Sequence, residues 1–382
     1  MKKAIILLLV FLCLPLTGCM SRRVEEQLLA IVMGVDLTPS GDLTLTVKVP
    51  SNTGGSDGSA PSDQAKKGGN QMGYLTLSAT GHQFADTMEL LLATTPRSIN
   101  FSQVQEVVIS MELAATTRLP LLLQQLYALP RMRTQAALVV CAGEAKAFVE
   151  EQKPYVGLRL SRYIEVSLQN YAGKGFVPNT TLAEAVQLTG FGWRDPLLIL
   201  GALPRQEDTN ARPGNVLNVD AQSLGATSIN AAKFYGAAAT DGSRVSGTLT
   251  GYEMALIHML RGGAQSLSLP DSQGFSLQLY ARAPAALSVD TGNDCRLGIR
   301  FSCEVHYTAP QPPDAQAIVR RLETEIRAVV QKMQAMRCDG LGFGSIAVRR
   351  FLTLQAWEGF SFREKYCQAP VDVQVAVHLK KE

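Results

Sequence analysis

Two stretches of this sequence contain residue types that could do chemistry: a serine in a hydrolase-like pattern and a glycine-rich run. The serine pattern, Gly-x-Ser-x-Gly, occurs at residues 54–58. A nucleophile elbow needs a strand before the serine and a helix after it, but this serine lies in a polar stretch that predicts neither. The run GLGFG at residues 340–344 follows a helical pattern, whereas a dinucleotide-binding loop follows a strand. It therefore indicates a glycine-rich corner after the end of a helix.

The histidines and carboxylates form no recognisable site. The histidines are His82, His258, His306 and His378. No two of them stand at ligand spacing, and the HxxxH and HExxH patterns are absent, so no metal site is predicted. Adjacent carboxylates such as Glu25 and Glu26 lie in polar surroundings and need no catalytic interpretation. We expect no catalytic residues and no cofactor; a hydrolase is the weaker alternative, because the nucleophile–base pair that it needs is not evident.

Cys19 is the residue with a predicted covalent role. Lys2 and Lys3 precede an apolar run of about 13 residues, which ends in the sequence LTGC at residues 16–19. A positive start, a short apolar segment and a small-residue cleavage site are typical of a secretory signal peptide, here residues 1–18. The run is shorter than the roughly 20 residues that span a bilayer. LTGC resembles a bacterial lipobox, in which the cysteine becomes the first mature residue and carries a thioether-linked diacylglycerol; a chance cysteine after an ordinary signal peptide is the alternative.

This prediction makes the rest of the chain an extracytoplasmic protein attached to a membrane lipid through Cys19, with residues 19–27 as a stalk. Each buried methylene contributes about 0.8 kcal/mol to membrane binding, so two or three acyl chains hold firmly. The formal charge of +3 falls to +1 when Lys2 and Lys3 leave with the signal peptide. Such a balance does not indicate a nucleic-acid partner.

The remaining cysteines are scattered. Beyond Cys13 and Cys19, five of the seven cysteines remain, and none forms a CxxC pair. Their odd number and irregular spacing favour buried small hydrophobic residues over a metal or redox site. Cys295 and Cys303 would be able to form a disulfide only if they faced each other across a hairpin.

Hydrophobic periodicity predicts interleaved strands and helices. The alternating residues 43–49 predict a strand with one apolar face, joined to the preceding strand by the turn at residues 38–42. Residues 181–188 predict a helix capped by Asn179 or Thr180. Residues 314–337 form the strongest helical pattern, in which Ile318, Leu322, Ile326, Val329 and Met333 lie on one apolar face. The apolar stretch 119–129 favours a buried helix over a partner-docking surface. The fold class is mixed α/β (α+β), with mixed or antiparallel sheets packed with helices.

The length predicts two or three domains, and composition shifts indicate boundaries between them after the signal peptide and stalk. The predicted ranges are 28–204 for the N-terminal domain with a disordered loop at 51–71, 205–225 for a linker, 226–270 for a middle domain and 271–382 for the C-terminal domain. The loop is predicted because its Gly, Ser, Asp and Lys residues cannot bury a core.

Four large residues near predicted element ends are candidates for subunit contact. They are Arg159, Arg162, Trp193 and Arg194. Arginine and tryptophan are enriched at interface hot spots. Ordinary surface arginines and a core tryptophan are the alternative interpretation.

Taken together and in order, several stretches resemble the Ger(x)C family, the lipoprotein C subunits of spore germinant receptors. The matching stretches are the lipobox and residues 28–36, 78–81, 95–97, 101–109, 231–234, 249–253, 338–344 and 357. The chain departs from the family in having Met20 and Ser21 where members have Trp-Asp.

The resemblance implies three α/β domains without a known catalytic site and a partnership with two integral-membrane subunits, A and B. It implies a location on the outer face of the spore inner membrane, and a small nutrient germinant that the complex, rather than this chain, would bind. The alternative function is a solute-binding lipoprotein of a transporter, which would need two similar lobes around a cleft. The sequence shows no two-lobed repeat.

Overall fold

The computed structural model describes residues 26–51, 73–154, 158–203, 219, 221, 232–263, 266–270, 276–292 and 295–382. The strands are β1 (Gln27–Leu29), β2 (Val32–Leu37), β3 (Leu43–Ser51), β4 (Gly73–Gly81), β5 (Ser98–Asn100), β6 (Glu106–Ser110), β7 (Ala137–Cys141), β8 (Leu197–Ala202), β9 (Lys233–Thr240), β10 (Val245–Leu249), β11 (Ser266–Pro270), β12 (Ser276–Ala281), β13 (Ala286–Asp290), β14 (Arg296–Tyr307) and β15 (Val371–Lys381). The helices are α1 (Phe84–Ala93), α2 (Met111–Ala114), α3 (Leu119–Tyr127), α4 (Ala145–Glu151), α5 (Leu160–Gly173), α6 (Leu182–Phe191), α7 (Gly251–Leu260), α8 (Ala315–Ala335), α9 (Phe343–Ala347), α10 (Leu354–Phe360) and α11 (Phe362–Gln368), with a 3₁₀ turn at Val348–Arg350.

The larger sheet has eight strands in the order β10-β9-β8-β7-β6-β2-β3-β4. Its central strands β2, β6, β7 and β8 are parallel, and the strands outside them are antiparallel. Strands covered on both faces are continuous apolar runs, and β6 and β8 are buried along their whole length. Successive residues of β7 alternate between two cores: Leu138 packs on one face and Val139 on the other, beside Phe148 of α4.

The predicted hairpin of β2 and β3 is confirmed by their antiparallel register. The expectation that β3 has one exposed face is wrong, because Thr46 and Lys48 are buried as well. Helix α4 packs on that second face, and its carbonyl oxygens accept hydrogen bonds from Lys48. The predicted cap of α6 is also wrong. Thr181 caps the helix by accepting from the backbone N–H of Glu184.

The smaller sheet has five strands built around β14. β12 and β13 pair with different halves of β14, and β15 runs parallel to its other edge. Helix α8 follows β14 in the chain and packs against β15. The predicted apolar face of this helix is confirmed: its buried residues include Ile318, Leu322, Ile326, Val329 and Met333.

The chain between the two sheets contributes to both. β9 and β10 extend the larger sheet next to β8, whereas β11 is an edge strand of the smaller sheet. Helix α7 lies in the core that the smaller sheet shares with Leu197 and Leu249 of the larger one. The fold is mixed α/β, with several sheets packed with helices, as predicted. The division into three domains stays a prediction.

Several sequence predictions fall outside the described residues. These are the signal peptide at 1–18, Cys19 and the stalk up to residue 25, the loop apart from Ser51, and the linker at 205–225 apart from residues 219 and 221. None of the helices that the structure describes is long and apolar enough to cross a membrane. In the apolar stretch 119–129, residues 119–127 form the predicted helix, α3. One face of it is buried, with Leu122 and Leu126 in the core, whereas Leu121 and Tyr127 are exposed.

The cysteines in the described part of the chain are all free, and four of the five are buried. Burial raises the pKa of the Cys303 thiol to about 11 and that of Cys141 to about 12. Cys295 immediately precedes β14 and Cys303 lies within it. Two residues eight positions apart along an extended chain are separated by roughly 26 Å, so they do not face each other across a hairpin. The interpretation as buried hydrophobic residues is confirmed for four of the cysteines, whereas Cys367 is half-buried.

Candidate functional site: a cleft at the junction of the two sheets

The four predicted contact residues lie in two separate places. Arg159 immediately precedes α5 and makes no side-chain capping hydrogen bond. Arg162, in the first turn of that helix, is exposed and pairs with Glu165 at 2.9 Å. This end of the helix lies near β4, since the backbone N–H of Leu160 donates to the hydroxyl of Tyr74. Trp193 and Arg194 instead lie just before β8, five strands away in the sheet. The structure therefore keeps each pair together but does not bring the two pairs into one site.

Asp195, next to Arg194, forms the main polar contact between the two sheets. Its carboxylate receives two hydrogen bonds from the guanidinium of Arg363, at 2.7 and 3.0 Å, and one from the backbone N–H of Asp339 at 2.7 Å. The backbone N–H of Asp195 donates in return to the carbonyl oxygen of Asp339. Burial raises the pKa of Asp195, and the Arg363 guanidinium opposes that shift. Paired in this two-point geometry, a buried carboxylate can stay ionised.

Asp339 organises the glycine-rich run that follows it. Its carboxylate oxygens accept from the backbone N–H groups of Gly342, Phe343 and Gly344 at 2.6 to 3.0 Å. Gly342 has φ +89°, in the region that favours glycine. A Cβ on Gly344 would lie 2.5 Å from the carbonyl oxygen of Trp193, so only glycine fits there. The run is thus a corner between α8 and α9, as predicted, and it presses against the segment before β8.

A cleft of about 350 Å³ opens beside these contacts. It is lined by residues from both sheets, including Trp193, Arg194, Arg337, Trp357 and Arg363. Arg194 forms an ion pair with Glu184 at 2.6 Å, and its Nε is buried without a hydrogen-bond partner. Trp357 belongs to an aromatic cluster with Phe351, Phe360 and Phe362, with ring centroids 5.4 to 6.5 Å apart.

The carboxylates beside the cleft hold two segments of the chain together and are not free for acid–base chemistry. Burial raises the pKa of Asp339 to about 6, yet both of its oxygens are occupied by backbone N–H groups. Both oxygens of Asp195 are likewise occupied. Within the residues that the structure describes, no three His, Cys, Asp or Glu side chains are grouped so as to hold a metal ion. The geometry joins the segment before β8 to the chain after α8.

A second cluster of buried charges holds helix α4 on one face of the larger sheet. Asp36 accepts from the first two N–H groups of the helix, those of Ala145 and Lys146, at 2.6 and 2.8 Å. At the other end, the ammonium of Lys48 donates to the carbonyl oxygens of Val149, Glu150 and Gln152 at 2.7 to 3.0 Å. Each charge has the sign that stabilises its end of the helix dipole.

Glu106, on β6 below this helix, is fully buried. It accepts a hydrogen bond from the side-chain amide of Gln152, but its other oxygen has no partner. Burial raises the pKa of Glu106 to about 8, so the carboxyl is mainly neutral at neutral pH. Burial also lowers the pKa of Lys48 to about 8.

Sequence reasoning missed Asp195, Asp339 and Arg363, although it selected their neighbours Trp193 and Arg194. Asp339 lies directly before the glycine-rich run, and an aspartate before a turn is a signal for side-chain hydrogen bonds to the backbone N–H groups that follow it. Asp195 and Arg363 carry no comparable signal, because 168 positions separate them in the chain.

Comparisons with known proteins agree with this architecture. Residues 21–199 match the family model of the spore germination protein N-terminal domain, and residues 312–382 match that of the spore germination B3/GerAC-like C-terminal domain. The fold is similar to the crystal structure of the GerBC protein, with a TM-score of 0.50 and 10% sequence identity over 91% of this chain and 96% of that chain. No curated protein matches the sequence.

The two family models match opposite ends of the chain, and these are the two segments that Asp195 and Arg363 join. The chain belongs to the Ger(x)C family of spore germinant receptor C subunits.

Proposed function

We propose that this protein is the lipid-anchored, non-enzymatic C subunit of a spore germinant receptor complex, located on the outer face of the spore inner membrane. The observation that carries the proposal is the match of both ends of the chain to the spore germination family models. The similarity of the fold to the GerBC protein extends over most of both chains and is consistent with it.

The lipid anchor is proposed from the sequence LTGC at residues 16–19. Acylation of Cys19 would hold the protein at the membrane without a spanning helix. The complex would then place this chain beside the two integral-membrane subunits, A and B.

A role without catalysis is supported by how the buried charges are used. Lys48, Asp36, Asp195 and Asp339 all make hydrogen bonds to backbone groups of neighbouring segments. Those bonds hold a helix or a sheet junction in place, so these charged side chains are used to support the structure. The protein would act by contact with its partners.

Arg159 and Arg162 are the contact residues that we propose for the membrane subunits. Both are exposed, and both lie at one end of α5. Assembly of the receptor that is unchanged in the Arg159→Glu, Arg162→Glu variant would contradict this assignment.

The transporter alternative is less well supported. A solute-binding protein would have two similar lobes, whereas the two larger sheets here have eight and five strands with different orders.

The proposal is tested by replacing the chromosomal gene with Cys19→Ala and measuring two properties of the spores. We expect the variant protein to be washed from membranes by carbonate and nutrient-triggered germination to be reduced. Cys367→Ala is the matched control, because that cysteine is free, and we expect it to behave as wild type. A Cys19→Ala protein that stays in washed membranes and supports normal germination would contradict the proposal.

A further inference from the structure

One edge of the larger sheet has the properties of a lipid-facing surface. This edge, called here the N-terminal edge, is where the parallel strands β2, β6, β7 and β8 begin. We propose that the N-terminal edge rests on the lipid headgroups of the membrane to which Cys19 is attached. The inference rests on the proposed lipid anchor and adds the orientation of the protein and the residues that touch the membrane.

The first argument is the short length of chain between the anchor and the sheet. β1 begins at Gln27 and leads through two residues into β2, so the chain enters the fold at the N-terminal edge. Only seven residues separate Cys19 from Gln27. Fully extended, they reach at most about 29 Å. The anchor therefore holds the N-terminal edge, where the chain enters the fold, within about 29 Å of the bilayer.

The second argument is the charge of the connections at this edge. The segments that lead into β5, β6 and β7 comprise residues 94–97, 101–105 and 128–136. They contain Arg97, Arg131 and Arg133 and no acidic residue. Arg97 and Arg131 are exposed. Arginines next to a bilayer are attracted to anionic headgroups.

Exposed aromatic side chains lie along the same edge. Helix α6 starts there, because Thr181 bridges to Ala137 at the start of β7, and the chain returns there to begin β8. At the far end of α6, Phe191 and Trp193 stack with ring centroids 5.3 Å apart while 58% and 40% exposed. Tyr127, at the end of α3, is 46% exposed and lies just before the arginines that lead into β7. Tryptophan and tyrosine are the residues that favour the membrane–water interface.

A second segment with exposed apolar side chains lies at the start of α10, a helix that also lines the cleft. Trp357 lines the cleft opposite Trp193, and the ring of Phe351 packs on Trp357 at 5.5 Å. Next to Phe351, Leu352 is fully exposed and Leu354 is 66% exposed. Arg349 and Arg350 immediately precede them and are exposed.

These segments hold most of the exposed large hydrophobic side chains in the part of the chain that the structure describes. Nine such side chains are exposed there. Five of them lie on the segments described above: Tyr127, Phe191, Trp193, Leu352 and Leu354. Single exposed hydrophobic residues are ordinary, but a group that is flanked by arginines and lies at the tethered edge matches the chemistry of an anionic lipid surface.

The chain contains two tryptophans, Trp193 and Trp357, so its fluorescence can report on this edge. The full lipidated protein would be reconstituted into phosphatidylcholine–phosphatidylglycerol vesicles with acyl chains brominated near the headgroup. With Trp357→Phe, only Trp193 emits, and we expect brominated lipid to quench its emission and shift the maximum to shorter wavelength. Trp193→Phe leaves the less exposed Trp357 and should show weaker quenching; it serves as the second variant if Trp357→Phe fails to fold.

A matched control places a tryptophan of similar exposure at the opposite edge. Leu121, 58% exposed, lies at the start of α3, where Arg118 donates to the carbonyl oxygen of Gly41 in the turn after β2. In a Trp193→Phe, Trp357→Phe background, Leu121→Trp should emit equally in brominated and ordinary vesicles.

Three outcomes would overturn the proposal, and each has a different meaning. Protein that floats with the vesicles but shows equal Trp193 emission in both lipids keeps its anchor and has no lipid-facing N-terminal edge. Protection of Trp193 from acrylamide only when the membrane subunits are present, without quenching by brominated lipid, assigns the edge to those subunits. Protein that does not float and whose intact mass shows an unmodified Cys19 refutes the anchor itself.

Discussion

The two buried charge clusters of this protein accommodate their carboxyl groups in opposite ways. The first cluster consists of Asp36, Lys48 and Glu106 beside α4 and is called here the α4 cluster. In it, Glu106 has one oxygen without a partner, and burial raises the pKa of this carboxyl to about 8. At the junction, both oxygens of Asp195 accept hydrogen bonds and the Arg363 guanidinium opposes the effect of burial on its pKa. One carboxyl is stabilised by keeping its proton and the other by a paired charge.

The comparison shows that the bidentate ion pair lies at the contact between two distant segments of the chain. The α4 cluster holds a helix against strands of the same sheet, where apolar packing on both faces already contributes stability. The junction instead connects Asp195 to Asp339 and Arg363, which lie 144 and 168 positions further along the chain. Asp195 belongs to the segment matched by the first family model, and the other two belong to the segment matched by the second. The bidentate pair of Arg363 and Asp195 holds these two segments in fixed relative positions at the junction.

The largest effect is expected when the junction loses its positive charge. Arg363→Met would leave the Asp195 carboxylate, 2% exposed, without its partner. Breaking a buried pair in this way costs about 3–5 kcal/mol. Urea unfolding would measure the loss, and Arg349→Met, an exposed arginine, is the control expected to stay within about 0.5 kcal/mol. A loss in the Arg363 variant no larger than in this control would contradict the role given to the pair.

The proton on Glu106 predicts a smaller effect that depends on pH. Its pKa is about 8 in the folded protein against 4.5 ordinarily, so the folded state keeps a proton that the unfolded chain releases in this range. The free energy of unfolding therefore falls as the pH rises from 4.5 to 8, by up to about 1.4 kcal/mol per pH unit. Lys48, whose pKa is lowered to about 8 from 10.5, contributes the opposite slope only above pH 8.

The glutamine of the Glu106→Gln variant cannot ionise, so the variant lacks this contribution to the pH dependence of the free energy of unfolding. Relative to the variant, the wild-type protein should lose about 3 kcal/mol of unfolding free energy between pH 5 and pH 7.5. Urea unfolding of both proteins across that range measures the difference, in which the other titrating groups cancel. Parallel curves would mean that Glu106 is ionised in the folded protein, and the contrast between the two clusters would be lost.

A steric change at the junction should have a moderate effect. Gly344→Ala would bring a Cβ to 2.5 Å from the carbonyl oxygen of Trp193 and force the two segments apart. Overpacking of this kind costs about 1–3 kcal/mol, to be read from the urea midpoint.

The matched control for this change is expected to have the smallest effect and the opposite sign. Gly359 lies in α10, and apart from its two chain neighbours and the backbone of the helix itself no atom lies within 4 Å of the position that a Cβ would take there, so Gly359→Ala meets open space. It should stabilise the protein by up to about 1 kcal/mol, because alanine is the better helix former. Equal destabilisation by both substitutions would show that the close contact at Gly344 is unimportant.

Local patterns were sufficient to predict much of the fold but not the junction. The 3.6-residue repeat of α8 predicted its buried face, and alternation predicted β3, because each pattern reflects one covered surface. Lys48 shows the limit of such patterns: its place in the alternation predicted an exposed side chain, yet α4 covers it. Asp195 and Arg363 could not be paired from sequence, since their contact depends on how two distant segments pack.

The central claim, that this chain is the C subunit of a germinant receptor, is tested most directly by affinity purification from spore inner membranes. The tagged full-length protein would be solubilised in mild detergent and its partners identified by mass spectrometry, with Cys19→Ala as the comparison. We predict recovery together with two multi-spanning membrane proteins, and reduced recovery of both with the variant. Recovery alone, or with the components of a transporter, would contradict the claim.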